Sequence, residues 1–315
     1  METSLPIRYL DRLDLDALRE LAGAVPYQLL ATDLFPRIEV WIRRDDLLDP
    51  LISGNKAYKL LFNLMDARDR GIEKIITCGG AWSNHIHAVA AAGRRFGFQT
   101  VGIIRGERPR NLSATLRDAE RFGMELKFVS RDLYRRRAQG DFLQLVDIRY
   151  QDALFVPEGG ANLAGVRGAK FLGQTIAATL PRKFDQVWLA CGTATTLAGV
   201  QWGLNTAKVI GVPVLKAGAS FFSQMDDWMA ALGEGPGSAS LCEGYECGGY
   251  AKFPDYLRQF MLNFEHQSGV PLDPVYTAKL AFALHSESRK GKVAAGSRVL
   301  LLHSGGLQGR RGMAL

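Results

Sequence analysis

Short apolar runs alternate along this chain with longer segments of helical periodicity. The run 72–77 is of β type and is closed by Gly79 and Gly80; residues 84–96 follow, their alanines suited to a tightly packed helix. The rhythm then repeats: a run at 100–104, a helix from about 111 to 122, runs at 126–129 and 154–156, and a helix near 166–179. It continues with a run at 186–190, a helix from about 196, a run at 209–215 and a last run at 298–303, which ends in Gly305 and Gly306. Such alternation predicts an α/β protein whose parallel sheets carry helices on both faces. The Gly-, Ser- and Glu-rich stretch 233–249 predicts a long irregular loop.

In sheets of this kind ligands sit beyond the carboxyl ends of the strands, at the first turns of the following helices. The glycines gather there: Gly79 with Gly80, Gly159 with Gly160, Gly192 with Gly199, and Gly305 with Gly306 all follow a predicted strand. The chain has 34 glycines in 315 residues, above the average usage of about 7%.

Composition narrows the class. At 47% hydrophobic and 23% charged the chain is neither disordered, fibrous nor a disulfide scaffold, and its length allows one large domain or two modest ones. The formal charge of +7 suits nucleic acid, a membrane surface or small anionic ligands equally. Its densest basic runs, 105–110 and 131–137, read first as solvated faces; no stacking aromatics interleave them, and no nucleic-acid module is recognised. The four cysteines form no CxxC pair, so no metal site is expected and the thiols are expected to be reduced. No basic stretch followed by an apolar core opens the chain, and the longest charge-free stretch, 186–207, is broken by Gly, Thr and Gln, unlike a membrane span. A cytoplasmic protein is the expectation.

Three segments carry candidate chemistry. The run CGTATTLAG (191–199) follows an apolar strand and feeds a helix, so it offers unpaired backbone N–H groups, small hydroxyls and the positive end of a helix dipole. It is a phosphate cup or a structural turn; it is neither GxGxxG nor GxxxxGK[ST]. The segment SGNKAYK (53–59) sets Lys56 behind small residues at a predicted helix start, either as an ordinary surface lysine or as one that loses water, lowers its pKa and becomes a Schiff-base nucleophile. In GGAWSNH (79–85), Ser83 and Asn84 are helix caps or site residues. His85 and His87 lie about 200° apart around a helix of roughly 3.6 residues per turn and cannot jointly hold a metal.

Together and in this order these blocks resemble the fold type II pyridoxal-phosphate enzymes, specifically the branch of 1-aminocyclopropane-1-carboxylate deaminase and D-cysteine desulfhydrase. The carriers are RDD (44–46), SGNKAYKL (53–60), GGAWSNHIHAVAAAG (79–93), VPEGGANLAGVRG (156–168), ACGTATTLAG (190–199), LDPVYTAK (272–279) and LLHSGG (301–306). The resemblance implies a tryptophan synthase β-like fold of two parallel-sheet α/β domains with pyridoxal 5'-phosphate between them: a larger domain of 1–56 and 164–315 and a smaller inserted one of 57–163. It implies a small amino-acid substrate and a homodimer. It also implies roles: Lys56 carries the cofactor as a Schiff base, Lys59 assists its phosphate, and Gly192, Thr193, Ala194, Thr195 and Thr196 form the phosphate cup. Asn84 binds the 3-oxygen, Ser304 faces the pyridine nitrogen, Ser83 lies near the substrate, and Tyr276 and Tyr250 are the two active-site tyrosines.

The implied reaction is removal of the Cα proton by the freed Lys56 amine and departure of a leaving group from Cβ, giving a 2-oxo acid, ammonia and, from cysteine, hydrogen sulfide. The deaminases of the branch resemble one another in a Glu after the DPVY tyrosine and a Leu within HxGG, where this chain has Thr277 and Ser304. D-Amino-acid β-elimination therefore ranks above cyclopropane ring opening, and a protein that binds the cofactor without turnover is the third reading. Tyr58 stands where the family commonly has Arg and Trp82 where an aliphatic residue is common; both are expected to reshape the pocket. The chain stops nine residues after Gly306, which is expected to alter packing beside the cofactor ring or at the oligomer interface.

Overall fold

The computed structural model describes residues 8–146, 152–216, 219–231, 233 and 239–313. In chain order the elements are α1 (Leu15–Gly23), β1 (Tyr27–Leu29), β2 (Glu39–Arg43), α2 (Asn55–Asp69), β3 (Lys74–Gly79), α3 (Asn84–Phe96), β4 (Gln99–Arg105), α4 (Ala114–Arg121), β5 (Glu125–Val129), α5 (Arg131–Arg135) and α6 (Phe142–Leu145). The second half follows with β6 (Ala153–Val156), α7 (Leu163–Thr179), β7 (Gln186–Cys191), α8 (Ala194–Gly203), β8 (Lys208–Pro213), α9 (Ala219–Ala231), β9 (Ser240–Leu241), α10 (Asp255–Ser268), α11 (Thr277–Arg289) and β10 (Arg298–Leu302).

Two sheets result. One has six strands in the order β1-β2-β10-β7-β8-β9 and the other four in the order β5-β4-β3-β6. Every pairing is parallel except the antiparallel edge pair of β1 with β2. The central strands are buried on both faces, as in Val187, Trp188 and Leu189 of β7, which is why they read as unbroken apolar runs rather than alternating ones. One apolar cluster joins α1, α2, α3, α7 and α8, a second packs α10 and α11 against the far face of the six-stranded sheet, and a third gathers Tyr134, Phe142 and Val146 on the outer face of the smaller sheet. Helices thus cover both faces, as the alternation predicts.

Some boundaries differ from the sequence reading, for local reasons. Ile72 does not open β3: its N–H bonds the carbonyl of Ala67 while that of Gly71 bonds Arg68, a Schellman ending of α2 with glycine at the left-handed position (φ 68°). Gly199 is not in the turn after β7 but inside α8, where a Cβ would come within 2.4 Å of the Ala169 methyl carbon on α7. Part of the glycine excess therefore serves helix packing. Of the loop predicted at 233–249, residues 234–238 lie outside the described residues; the remainder contains β9, paired in parallel with β8. The opening residues 1–7 also lie outside them.

The segment that delivers Lys56 is clamped from below. Arg43, fully buried at the end of β2, donates to Asp45 at 3.1 Å, to the Tyr27 hydroxyl at 2.7 Å, to the Ala22 carbonyl at 2.6 Å and to the Tyr58 hydroxyl at 3.3 Å. Tyr58 in turn donates to Asp45 at 2.6 Å. Arg44 forks onto Asp46 at 2.9 and 2.7 Å. With every buried charge paired and hydrogen-bonded, this network ties α1, β1, β2 and the start of α2 into one unit.

Candidate active site

Three helix starts and two strand ends converge on one cavity of about 280 Å³. Lys56 and Lys59 reach it from the first turn of α2, Ser83 and Asn84 from the start of α3, and Gly192, Thr193 and Thr196 from the turn between β7 and α8. Ser304 enters from beyond β10, and Tyr250 and Tyr276 close the side formed by the larger sheet. Ala194 and Thr195 are buried but do not line the wall; the Thr195 hydroxyl lies 3.0 Å from that of Thr193. Close backbone approach makes this convergence possible at Gly54, with φ 63°, where a Cβ would sit 1.9 Å from the carbonyl oxygen of Ser304.

The cavity's inner end carries two lysines, Lys59 buried and Lys56 half-buried. Lys56 donates to Asn55 at 2.8 Å, and Asn55 donates to Thr196 at 3.1 Å, linking the starts of α2 and α8. Burial lowers the Lys56 pKa to about 8, with the nearby Asp273 carboxyl opposing the shift. Burial, and then the charge of Lys56, push Lys59 well below the ordinary lysine range. His85 lies in the same wall with both ring nitrogens unpartnered; burial, then the two lysines, hold it well below the usual imidazole value, so it is neutral. Neither lysine has a carboxylate within ion-pair distance among the described residues.

Tyr276 and Tyr250 meet edge to face with ring centroids 6.4 Å apart. Burial first, then Tyr250, raises the Tyr276 phenol well above its ordinary value, so it is held protonated. Asp273 receives the Tyr276 backbone N–H at 2.6 Å through one oxygen, while the other is buried and unpartnered. Burial raises this carboxyl to about 7. Asn84 accepts from Gln308 at 3.0 Å, so the turn after β10 packs directly on the start of α3.

Sequence reading missed several of these groups. Asn55, His85 and Asp273 sit inside quoted motifs, and the signal for them was position within a glycine-flanked helix start or beside a singled-out tyrosine. Arg105, Arg137 and Glu158 also line the cavity, so the two Arg-rich runs are not wholly solvated faces. The expectation for Tyr58 and Trp82 is corrected: Tyr58 is buried in the Arg43 network, Trp82 is 43% exposed and lies against Gly312, and neither lines the cavity. Among the described residues no cluster can hold a metal ion, no helix is long and apolar enough to cross a membrane, and all four cysteines are free.

Pyridoxal phosphate fits these groups. Two desolvated lysines and an imidazole without partners are costly unless an anion joins them, and the Thr193–Thr196 turn adds the N-terminus of α8. A lysine with a pKa of about 8 supplies free amine for an aldehyde near neutral pH.

The comparisons point the same way. Residues 24–305 match the family described as pyridoxal-phosphate dependent enzyme. A putative 1-aminocyclopropane-1-carboxylate deaminase of Pyrococcus horikoshii is 28% identical over 281 residues, covering 86% of this chain and 85% of that protein. The mitochondrial bifunctional D-cysteine desulfhydrase/1-aminocyclopropane-1-carboxylate deaminase of Arabidopsis thaliana is 28% identical over 292 residues, covering 86% and 73%. A solved structure of an ACC deaminase homologue superposes with a TM-score of 0.79 at 28% identity, over 91% of this chain and 90% of the other.

Proposed function

Because the chain belongs to the pyridoxal-phosphate dependent enzymes and takes that cofactor, we propose that it is a lyase or deaminase of small amino acids, D-cysteine desulfhydrase-like in its reaction. The observation that carries this reading is Lys56, a half-buried amine of lowered pKa that lines the cavity with the starts of α3 and α8. When bound, the cofactor supplies the electron sink for the pair left at Cα.

The chain's residues do the rest. Lys59, Thr193 and Thr196, with the backbone N–H groups of Gly192, Ala194 and Thr195, hold the phosphate. Asn84 orients the ring through its 3-oxygen, and Ser304 offers a hydroxyl to the ring nitrogen. The Lys56 amine takes the Cα proton, and Ser83, at the start of α3, positions the substrate. Tyr276, held protonated, gives its proton to the group leaving Cβ, with Tyr250 beside it. The products are a 2-oxo acid, ammonia and, from cysteine, hydrogen sulfide.

Elimination is favoured over ring opening by the side chain that follows Tyr276. Thr277 is buried, accepts the Asp273 N–H at 2.7 Å and offers no carboxylate to the cavity. 1-Aminocyclopropane-1-carboxylate deamination is the second reading, supported by the names of the relatives, and cofactor binding without turnover is the third. The same proposal takes 1–56 with 164–315 and 57–163 as the two domains. It also takes a homodimer in the cytoplasm, the latter supported by four free thiols.

The test is a side-by-side assay of the cofactor-loaded protein for 2-oxo acid and sulfide on D-cysteine, L-cysteine and 1-aminocyclopropane-1-carboxylate, with Lys56→Ala as control. Pyruvate and sulfide from D-cysteine support the reading. 2-Oxobutyrate from the cyclopropane substrate alone replaces it with the second, and no product from any compound replaces it with the third.

A further inference from the structure

The proposed elimination leaves one charge in the cavity without work. Arg105 ends β4 at the cavity mouth, is exposed, and has no carboxylate partner among the described residues. Its neighbour Arg137 differs, since it is neutralised by Glu158 at 2.7 Å. Both guanidinium groups lie on the ring of Tyr134, with carbons 5.9 Å (Arg105) and 5.0 Å (Arg137) from the centroid. Tyr134 is 2% exposed, so this platform is fixed by the core of the smaller sheet. A terminal nitrogen of Arg105 lies 3.6 Å from where a Cβ on Gly80 would be, over the turn that leads to Ser83.

The cations therefore divide into two sets. Lys56 and Lys59 at the inner end answer to the cofactor, and at the start of the thirteen-residue helix α3 the Ser83 hydroxyl takes the Ile86 N–H at 3.3 Å, leaving the N–H groups before it to hold an α-carboxylate. Arg105 answers to neither. We propose that Arg105 is a specificity residue, and that the preferred substrates are amino acids bearing a second anionic group, such as a sulfate, phosphate, sulfonate or carboxylate, on or beyond Cβ. This rests on the elimination reading above and names the substrate class for it. For serine O-sulfate the Cα proton is removed, the Cβ–O bond breaks with its electron pair leaving on sulfate, and the enamine takes up water. Substrate and one water thus give pyruvate, ammonium, sulfate and a proton.

The experiment compares serine O-sulfate with β-chloroalanine, whose leaving group is carried without a second charge on the substrate, in both enantiomers, on the cofactor-loaded protein. The ratio of kcat/KM for the sulfate ester to that for the chloride is measured in the wild type, Arg105→Gln and Arg105→Lys. A charge-assisted contact at an open mouth predicts that Arg105→Gln lowers this ratio about tenfold or more, chiefly through KM, and that Arg105→Lys restores much of it. An unchanged ratio, including equal loss on both substrates as an α-carboxylate or purely structural role would give, overturns the inference while leaving elimination standing. If neither compound is turned over, the elimination reading falls and binding decides instead, followed by the change each compound makes in the visible spectrum of the bound cofactor. Tighter binding of the sulfate ester that Arg105→Gln abolishes supports the mouth cation; equal affinities in wild type and variant overturn it.

Discussion

Burial brings the Lys56 pKa to about 8, and that makes the proposed reaction of this amine with the cofactor a titration that can be watched. Only the free amine attacks an aldehyde, so the rate at which cofactor-free protein takes up pyridoxal phosphate follows the deprotonated fraction upward with pH. With a pKa of about 8 that fraction is about a tenth at pH 7 and about nine-tenths at pH 9, a rise of about tenfold that then flattens. An ordinary lysine near 10.4 rises about a hundredfold over the same interval, with no plateau before pH 10. The assay is stopped-flow growth of the visible absorbance of the lysine-bound cofactor between pH 6.5 and 10, with Lys56→Ala as blank.

A second perturbation tests the cause. The Asp273 carboxyl is the group that opposes the lowering of the Lys56 pKa, and its own pKa is raised by burial to about 7, so it is ionised in most molecules at pH 8. Asp273→Asn removes an anion that favours the ammonium form, and the midpoint of the uptake curve moves below that of the wild type. A hundredfold climb without a plateau in the wild type, or a midpoint that stays or rises in Asp273→Asn, refutes the argument that desolvation sets this amine against one nearby carboxylate.

Two further outcomes follow from the clamp beneath the site. Arg43→Ala strands the Asp45 carboxyl in the core with Tyr58 as its remaining side-chain partner, and is expected to cost about 3–5 kcal/mol in urea unfolding; a loss under about 1 kcal/mol contradicts the network. Gly54→Ala puts a methyl group against the Ser304 carbonyl at a backbone conformation only glycine tolerates, and should lose about 2 kcal/mol or more together with much of the bound cofactor's visible absorbance, whereas wild-type values for both count against the close approach.

The sheets were legible because their central strands are buried on both faces, so β3, β4, β7 and β10 appear as apolar runs in any register. Lys56 and Ser83 were legible because small residues at helix starts mark places where another group comes close. Tyr58 misled for a reason the sequence already contained. It is two positions from Lys56, about 200° around α2 at roughly 3.6 residues per turn, so a helix that turns Lys56 toward the cavity turns Tyr58 toward Asp45; Lys59, three positions on, returns to the cavity side. Gly199 misled because a helix–helix contact and a phosphate turn demand the same residue, and only the α7 partner distinguishes them. Arg105 and Arg137 could not be told from surface charge, since what brings them together is the packing of the end of β4 on the buried ring of Tyr134, a contact of Arg105 with a residue far along the chain, whereas Arg137 follows Tyr134 closely.

The choice of cation at each depth is itself part of the chemistry. Lysine fills the inner end, where burial strips water from its ammonium and leaves a group that can give up and recover a proton. Arginine fills the mouth, where Lys in its place would be a point charge on a mobile stem, and where a planar, always-charged fork can lie on Tyr134 and still present donors to an oxyanion. Exchanging the two is costly at the inner end and mild at the mouth: an arginine at 56 cannot serve as an amine nucleophile, whereas a lysine at 105 keeps the attraction and loses only the planar fork. Lys56, Lys59 and Arg105 are thus graded along one cavity, from amines whose charge must be removable to a guanidinium at the mouth, and that gradient is what a substrate entering past Arg105 toward Lys56 would meet.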